Sequence, residues 1–161
     1  MDLTAARNEA VVAAARLGAA NDAVDAAAAG ALGVNRTDLR ILGVASESGP
    51  IAAGTLGAAA GLSPAATTTA IQRLVTAGYL TRGVDPVDRR RATVAITPAA
   101  AGLLQRVYGP IEQAGRRELA RYSAAELTVI VDFLRRGERM QLDQAARIRD
   151  LGSLSRPPDG R

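Results

Sequence analysis

The hydrophobic pattern at the start of the chain predicts one long helix. Residues 4 to 30 are rich in alanine, the residue with the best helix propensity. The larger apolar residues Val11, Val12, Leu17 and Val24 recur only loosely along this stretch. The pattern therefore favours a helix without a sharply defined apolar face.

A second helix is predicted from Asn35 onward. Asn35 is a favourable N-cap, and Asp38 follows three residues later, near the positive end of the helix. Ser48-Gly49-Pro50 ends the pattern. The apolar positions between these limits are Leu39, Ile41, Leu42 and Val44.

Two further helices joined by a tight turn are predicted next. Residues 55–60 form a short third helix, Gly61-Leu62 a turn, and Ser63-Pro64 the start of a fourth helix with an N-cap and a proline at its first position. This order is typical of a helix-turn-helix. The core stripe of the fourth helix is expected at Thr67, Ala70, Ile71 and Leu74.

The opposite face of the fourth helix is small and polar. It carries Ala65, Ala66, Thr68, Thr69, Gln72 and Arg73. Because its side chains are short, such a face can lie deep in the major groove of DNA.

The rest of the chain predicts a hairpin and two more helices. Residues 79–83 and 92–96 form the two strands of the hairpin. Thr97-Pro98 starts a fifth helix with a cap and a proline. Ser123 with Glu126 forms a capping box that opens a sixth helix.

Composition adds an argument for association. Hydrophobic residues are 48% of the 161, but alanine supplies much of this fraction and only four side chains are aromatic. A chain of this kind buries little apolar area per residue, so a monomer is expected to be marginally stable and an oligomer would share burial. All 20 basic residues are arginine and the formal net charge is only +4, so local clusters of charge matter more than the total.

Two missing residue types exclude several classes of function. The chain has neither cysteine nor histidine, which excludes disulfides, thiolate chemistry, Cys/His zinc sites and histidine general bases. The carboxylates are scattered and no glycine-rich phosphate loop occurs, so neither an enzyme nor a cofactor is expected. No uncharged apolar run reaches about 18 residues and no signal peptide is recognisable, so a cytoplasmic protein without a membrane partner is predicted.

A cationic hairpin tip is the most specific feature of the chain. Arg82 and the run Arg89-Arg90-Arg91 fall within ten residues. The segment Asp85 to Thr97 follows the pattern D-x-x-D-R-R-x-x-x-V-x-I-T. Together with the preceding helix end it resembles the winged helix-turn-helix of the MarR family of bacterial transcriptional regulators. The resemblance extends over about residues 5 to 148 and implies a mainly α fold with a small two-stranded β wing and terminal dimerisation helices.

The resemblance also implies roles for the hairpin tip. Arg90 corresponds to the wing arginine that reaches the minor groove, and Asp88 to the carboxylate that orients it. A weakly hydrated guanidinium suits a narrow groove of negative potential. Arg89 and Arg91 are expected on the other pleat face, near phosphate or other wing residues. A salt bridge between Asp88 and Arg90 without a DNA role is the alternative.

The helix-turn-helix supplies the other candidates for DNA contact. Helix N-termini near Ser63 and Thr55 suit phosphate. Gln72 can pair with adenine, and threonine methyl groups can contact thymine. Many members of the family have a basic residue in place of Thr69. Because this chain lacks that basic residue, the wing is expected to contribute more of the DNA binding. The predicted DNA-contacting residues are Thr55, Ser63, Ala65, Thr68, Thr69, Gln72, Arg73, Asp88, Arg89, Arg90 and Arg91.

Arg73 has two interpretations of equal weight. Its guanidinium is expected either to contact a DNA phosphate or to brace the fourth helix on an acidic side chain.

These observations and the resemblance predict a sequence-specific transcriptional regulator that binds a pseudo-palindromic operator in double-stranded DNA as a homodimer. The resemblance favours a ligand-responsive repressor, with an activator left open. The predicted regions are a dimerisation helix (1–34), a DNA-binding lobe (35–98), C-terminal dimerisation helices (99–150) and a disordered tail (151–161). The alternative is a winged-helix module for protein interaction without DNA binding, which predicts a neutral or acidic wing tip.

A small-molecule effector, phenolic or lipophilic, is a further expectation from the resemblance. The family often has a cleft between the dimer body and the DNA-binding lobe. Side chains of the kind found here more often form plain core, so both interpretations stay open. The candidate lining residues are Leu32, Leu39, Leu42, Tyr108 and Ile111.

Overall fold

Six helices and three short strands make up the parts of the chain that the computed structural model describes, residues 2–85 and 92–152. The mainly α fold class is therefore confirmed. In chain order the elements are α1 (Leu3–Leu32), α2 (Arg36–Ser48), β1 (Ile51–Ala52), α3 (Ala53–Ala59), α4 (Pro64–Thr76), β2 (Leu80–Val84), β3 (Ala92–Ile96), α5 (Pro98–Leu119) and α6 (Ala124–Asp150).

Side-chain caps start α2 and α4, which is the second helix of the helix-turn-helix. The Asn35 side chain accepts a hydrogen bond of 2.9 Å from the backbone N–H of Asp38, at the start of α2. Ser63 Oγ accepts one of 3.3 Å from the backbone N–H of Ala66, at the start of α4. Both predicted N-caps are confirmed.

The C-terminal helices begin by the same chemistry. Thr97 Oγ1 accepts from the N–H of Ala100 at 3.1 Å and donates to the carbonyl of Gly78 at 2.8 Å, which ties the start of α5 to the turn after α4. The predicted capping box of α6 is complete. The Ser123 hydroxyl and the Ser123 backbone N–H both donate to the carboxylate of Glu126. These bonds lower the pKa of Glu126, the hydroxyl more than the backbone N–H.

The small sheet has three strands rather than the predicted two. The unpredicted strand β1 pairs antiparallel with β3, with Ile51 opposite Val94. The two predicted strands pair on the other edge of β3, with Leu80 opposite Ile96, so the order is β1-β3-β2. A strand of two residues has no alternation for a sequence pattern to detect.

The predicted core stripe of α4 is confirmed. Thr67, Ala70, Ile71 and Leu74 are all buried. They join a core whose largest fully buried side chains come from α2, α3, β2 and β3 as well as α4: Ile41, Leu42, Leu56, Ile71, Leu74, Leu80 and Val94. These five elements therefore contribute to one common hydrophobic core.

Helices α3 and α4 approach each other too closely for a side chain at Gly57. A Cβ placed there would lie 2.1 Å from Thr67 Oγ1. The Thr67 hydroxyl is itself held in place, because it donates to the carbonyl of Ser63 at 2.9 Å. Gly61, at φ +66°, supplies the left-handed residue of the turn between the two helices.

The chain separates into two compact units, Met1–Pro110 and Ile111–Arg161. In the first unit, α1 buries only Ala28 and Leu32. In the second, no residue of α6 is buried. The exposed apolar side chains of α6 are Val129, Val131, Phe133, Leu134, Met140, Leu142 and Ile148. The predicted dimerisation regions stay a prediction, and the predicted tail lies outside the described residues from position 153 onward.

Candidate nucleic-acid interface

The outward face of α4 carries the predicted base-contacting side chains together. Ala65, Thr68, Thr69 and Gln72 are all exposed, on the side of the helix away from its buried stripe. Gln72 and both threonines line an open depression of about 700 Å³, with Arg73, Thr76 and Ala77. The structure therefore brings these candidates to one surface, as the helical spacing predicts.

The threonine hydroxyls on this face are turned back to the helix. Thr68 Oγ1 donates to the carbonyl of Pro64 at 3.0 Å, and Thr69 Oγ1 to the carbonyl of Ala65 at 3.1 Å. Since each hydroxyl proton is engaged, the groups left for a ligand are the oxygen as an acceptor and the methyl group.

Arg73 joins α4 to the start of α2. Its Nε donates to Asp38 Oδ2 at 2.8 Å and its Nη2 to Asp38 Oδ1 at 2.6 Å. The Asp38 side chain is only 4% exposed, whereas that of Arg73 is 46% exposed. The hydrogen bond to Asp38 raises the pKa of Arg73. Of the two interpretations of Arg73, the structure shows the brace on an acid, while a phosphate contact stays a prediction.

A second arginine connects α2 to the helix-turn-helix. Arg40 Nη2 donates to the backbone carbonyl of Ala60, at the C-terminal end of α3. Together with the pair between Asp38 and Arg73, this bond holds α2 against both α3 and α4. The charged groups of α2 thus set the position of the helix that is predicted to contact DNA.

Arg82 also lies on this surface. In the sequence it stands out only as a member of the arginine cluster. It lies exposed in β2, and its Nη2 donates to Oε1 of Gln72 on α4 at 3.2 Å. The other end of the Gln72 amide, Nε2, faces Thr76 Oγ1 at 3.5 Å. The alternation of side chains along a strand indicates on which face of the sheet Arg82 lies. The contact with Gln72 could not be predicted from the sequence, because it depends on how β2 packs beside α4.

The helix starts place the other two candidates differently. Ser63 is the N-cap of α4, as predicted. The N-cap of α3 is Ala52, and the helix begins at Ala53, two residues earlier than expected. Thr55 is therefore an exposed residue of the first turn of α3 rather than its cap.

The predicted wing contacts Asp88, Arg89, Arg90 and Arg91 lie outside the described residues. The strands on either side of them are described. Among the described residues, the pair nearest to these positions is Val84 opposite Ala92.

Comparison with known proteins identifies the family. The uncharacterized HTH-type transcriptional regulator YcgE of Bacillus subtilis (strain 168) is 32% identical to this chain over 123 residues, which are 76% of this chain and 80% of YcgE. The model of the MarR family matches residues 32–91, from the end of α1 into the hairpin. This chain belongs to the MarR family of winged helix-turn-helix transcriptional regulators.

Two solved crystal structures share the fold of this chain. RV1404 from Mycobacterium tuberculosis has a TM-score of 0.62 at 24% identity, over 86% of this chain and 94% of RV1404. A MarR family transcriptional regulator from Silicibacter pomeroyi has a TM-score of 0.58 at 24% identity, over 75% of this chain and 82% of that protein. YcgE and the protein from Silicibacter pomeroyi are both named as transcriptional regulators.

The candidate effector residues of this MarR protein are divided by the fold. Leu32, Leu39 and Leu42 belong to the buried core, and Ile111 is an exposed residue of the second unit. Tyr108 is half-buried, and its hydroxyl donates to Asp25 Oδ1 at 3.5 Å. Burial, with a smaller contribution from Asp25, raises the pKa of Tyr108. No helix within residues 2–85 and 92–152 combines the length and the apolar character needed to cross a membrane.

Proposed function

We propose that this chain is a sequence-specific regulator that binds a pseudo-palindromic operator in double-stranded DNA as a homodimer. In this proposal α4 lies in the major groove, and the arginines at positions 89–91 contact the minor groove and the backbone. The observation that carries the proposal is the character of α4: one face is sealed in the core, and the other is exposed, small and polar.

The shape of α4 supports contact with base edges. The major groove is about 12 Å wide and admits a single helix when its outward side chains are short. Ala65, Thr68 and Thr69 meet this requirement, and Gln72 is the longest uncharged side chain among them. The methyl groups of the threonines suit thymine, and the Gln72 amide suits a hydrogen-bonding base edge.

The distribution of charge supports contact with the backbone. Arg73 and Arg82 border the α4 face, and Arg89-Arg90-Arg91 follow in the sequence between the paired strands. Each arginine that neutralises a phosphate releases counterions, so affinity should fall steeply with salt. The rival function, a winged-helix module for protein interaction, has no feature of this surface in its favour.

Exposed apolar residues support the homodimer. In the second unit α6 exposes Phe133 and Leu134, among other large apolar side chains. Contiguous exposed apolar residues mark interaction sites in soluble proteins. We infer that a second copy of the chain covers them and sets the two α4 helices about 34 Å apart, one turn of DNA.

A repressor role released by a small phenolic or lipophilic effector is part of the proposal. Its support is the family membership and the half-buried phenol of Tyr108. Operator footprinting with and without phenolic compounds tests it. Protection that is unchanged at saturating concentrations of such compounds would contradict the effector role and leave the DNA-binding proposal standing.

The experiment for the main proposal compares the wing with α4. Affinity for operator and for random DNA is measured against salt concentration for wild type, Arg90→Ala, Asp88→Ala and Gln72→Ala. Arg90→Ala should weaken binding to operator and to random DNA alike. It should also reduce the slope of log affinity against log salt concentration by about one counterion. Gln72→Ala should lose ~1–3 kcal/mol on operator alone and leave the slope unchanged. Asp88→Ala should lie between wild type and Arg90→Ala.

Arg106→Ala is the matched control, since it removes one exposed arginine from α5. It should bind like wild type. If Arg90→Ala also binds both DNAs like wild type, the hairpin has no DNA role and the interaction module is the better account.

A further inference from the structure

We propose that Arg82 is a specificity-determining residue that acts together with Gln72, and that the pair recognises guanine rather than adenine. This inference rests on the proposed function, because it assumes that α4 enters the major groove. The observation behind it is the hydrogen bond of 3.2 Å from Arg82 Nη2 to Gln72 Oε1, which links β2 to the exposed face of α4.

The bond fixes which end of the Gln72 amide points toward the strand. A guanidinium has only donors, and the amide nitrogen is also a donor, so only Oε1 can face Arg82. The amide nitrogen must then lie on the other side, where Thr76 Oγ1 is 3.5 Å away and can accept a hydrogen bond. Both neighbours of the amide therefore favour the same orientation.

The orientation decides what the pair presents to a base. Recognition of adenine by glutamine needs Oε1 to accept from the adenine N6 amino group while Nε2 donates to N7. Here Arg82 uses one of the two lone pairs of Oε1, and the guanidinium beside that oxygen restricts the approach of an adenine amino group. The groups that the pair offers without displacing Arg82 are mainly donors: one N–H of the Gln72 amide and the unused N–H groups of the guanidinium.

Guanine is the base that matches two adjacent donors. It offers O6 and N7 as neighbouring acceptors in the major groove, whereas adenine offers one acceptor beside a donor. A guanidinium is also the side-chain group most often bonded to guanine at these two atoms. Arg82, at the start of the hairpin rather than on α4, thereby changes the preference of a side chain on the recognition helix.

The test is selection of binding sites from random duplex DNA by the full chain. Wild type, Gln72→Ala, Arg82→Ala, the double variant and the control Arg106→Ala are compared, with circular dichroism to confirm equal folding. The position read by the pair is the one whose preference disappears in the double variant. Wild type and the control should select guanine there by roughly tenfold over adenine.

Arg82→Ala should lose that tenfold preference at the same position or shift it to adenine. Gln72→Ala should weaken the guanine preference, because the guanidinium keeps its own N–H donors, and the double variant should have no preference at this base. Two results overturn the inference and leave the proposed function intact: adenine selected by wild type, or a loss of affinity in Arg82→Ala that is equal for all sequences. Selection of no sequence by wild type overturns both.

Discussion

Helices α2 and α6 both carry apolar residues at helical spacing, yet they differ in what covers these residues. Helix α2 buries five of its 13 residues within the chain, whereas α6 buries none of its 27. The core of the first unit is complete because α3, α4 and the sheet cover α2. In α6 the same kind of pattern is left unburied by the described residues of its own chain. An amphipathic pattern thus predicts that a helix needs a partner, but not whether that partner is the same molecule.

The largest effect should come from Leu42→Ala, which tests the covered side of the comparison. Leu42 has no exposed surface, so truncation should lower the free energy of unfolding by about 2–5 kcal/mol. Leu134→Ala is the control on α6, where the side chain is 53% exposed within the chain. Urea unfolding at two protein concentrations measures both.

Leu134→Ala should weaken the association of two chains rather than the packing within one chain. The free energy of unfolding of this variant should therefore depend more steeply on protein concentration than that of wild type. Equal, concentration-independent losses in the two variants would break the comparison between α2 and α6.

A smaller effect is expected from Gly57→Ala. The new Cβ would clash with Thr67, so α3 and α4 must separate, at a loss of about 1–3 kcal/mol. Gly54→Ala in the same helix is the control, since a Cβ there meets nothing within 4 Å. It should be neutral or stabilising by up to about 1 kcal/mol. Thermal unfolding measures the stability of both variants. Equal melting temperatures would mean that stability does not require the close packing of α3 against α4 at Gly57.

Asp38→Asn should lower stability by about 1 kcal/mol. The nearly buried side chain loses its charge-assisted bonds to Arg73, but the exposed part of the guanidinium is screened by water. Asp132→Asn removes an exposed ion pair with Arg136 on α6 and should change stability by less than about 0.5 kcal/mol. Chemical denaturation measures both. A larger loss of stability in Asp132→Asn than in Asp38→Asn would contradict the view that the Asp38–Arg73 pair contributes more than the exposed Asp132–Arg136 pair.

The smallest effect concerns the capping box of α6. Because the folded pKa of Glu126 is lowered, its contribution to stability is present above the unfolded pKa, about 4.3, and is lost as the pH falls through the folded value. Wild type should therefore be more stable than Glu126→Gln at pH 7, and the difference should vanish in acid. Melting temperatures measured from pH 7 downward to pH 3 show this, and a difference that does not shrink as the pH falls would refute the linkage.

Local chemistry made much of this fold predictable. Asn35, Ser63 and Ser123 cap helices through contacts three residues along the chain, so their sequence patterns are sufficient. The strand β1 could not be predicted, because its two residues acquire their conformation from pairing with β3.

The candidate site divides in the same way. The exposed face of α4 follows from helical periodicity. The partners of Arg73 and Arg82 do not, since Asp38 is 35 residues away and Gln72 lies on a different element. Such long-range pairs depend on how the elements pack.

The central claim, that two copies of this chain bind one operator through two α4 helices, is tested most directly by varying the spacing of the half-sites. Binding of the full chain to the selected operator is measured by native mass spectrometry and by titration, with duplexes carrying insertions of about half a helical turn and about one full turn, roughly 5 and 10 base pairs. The account predicts two chains per duplex and a large loss of affinity with the half-turn insertion, because the second recognition helix then faces the wrong side of the DNA. One chain per duplex, with affinity independent of spacing, would contradict it.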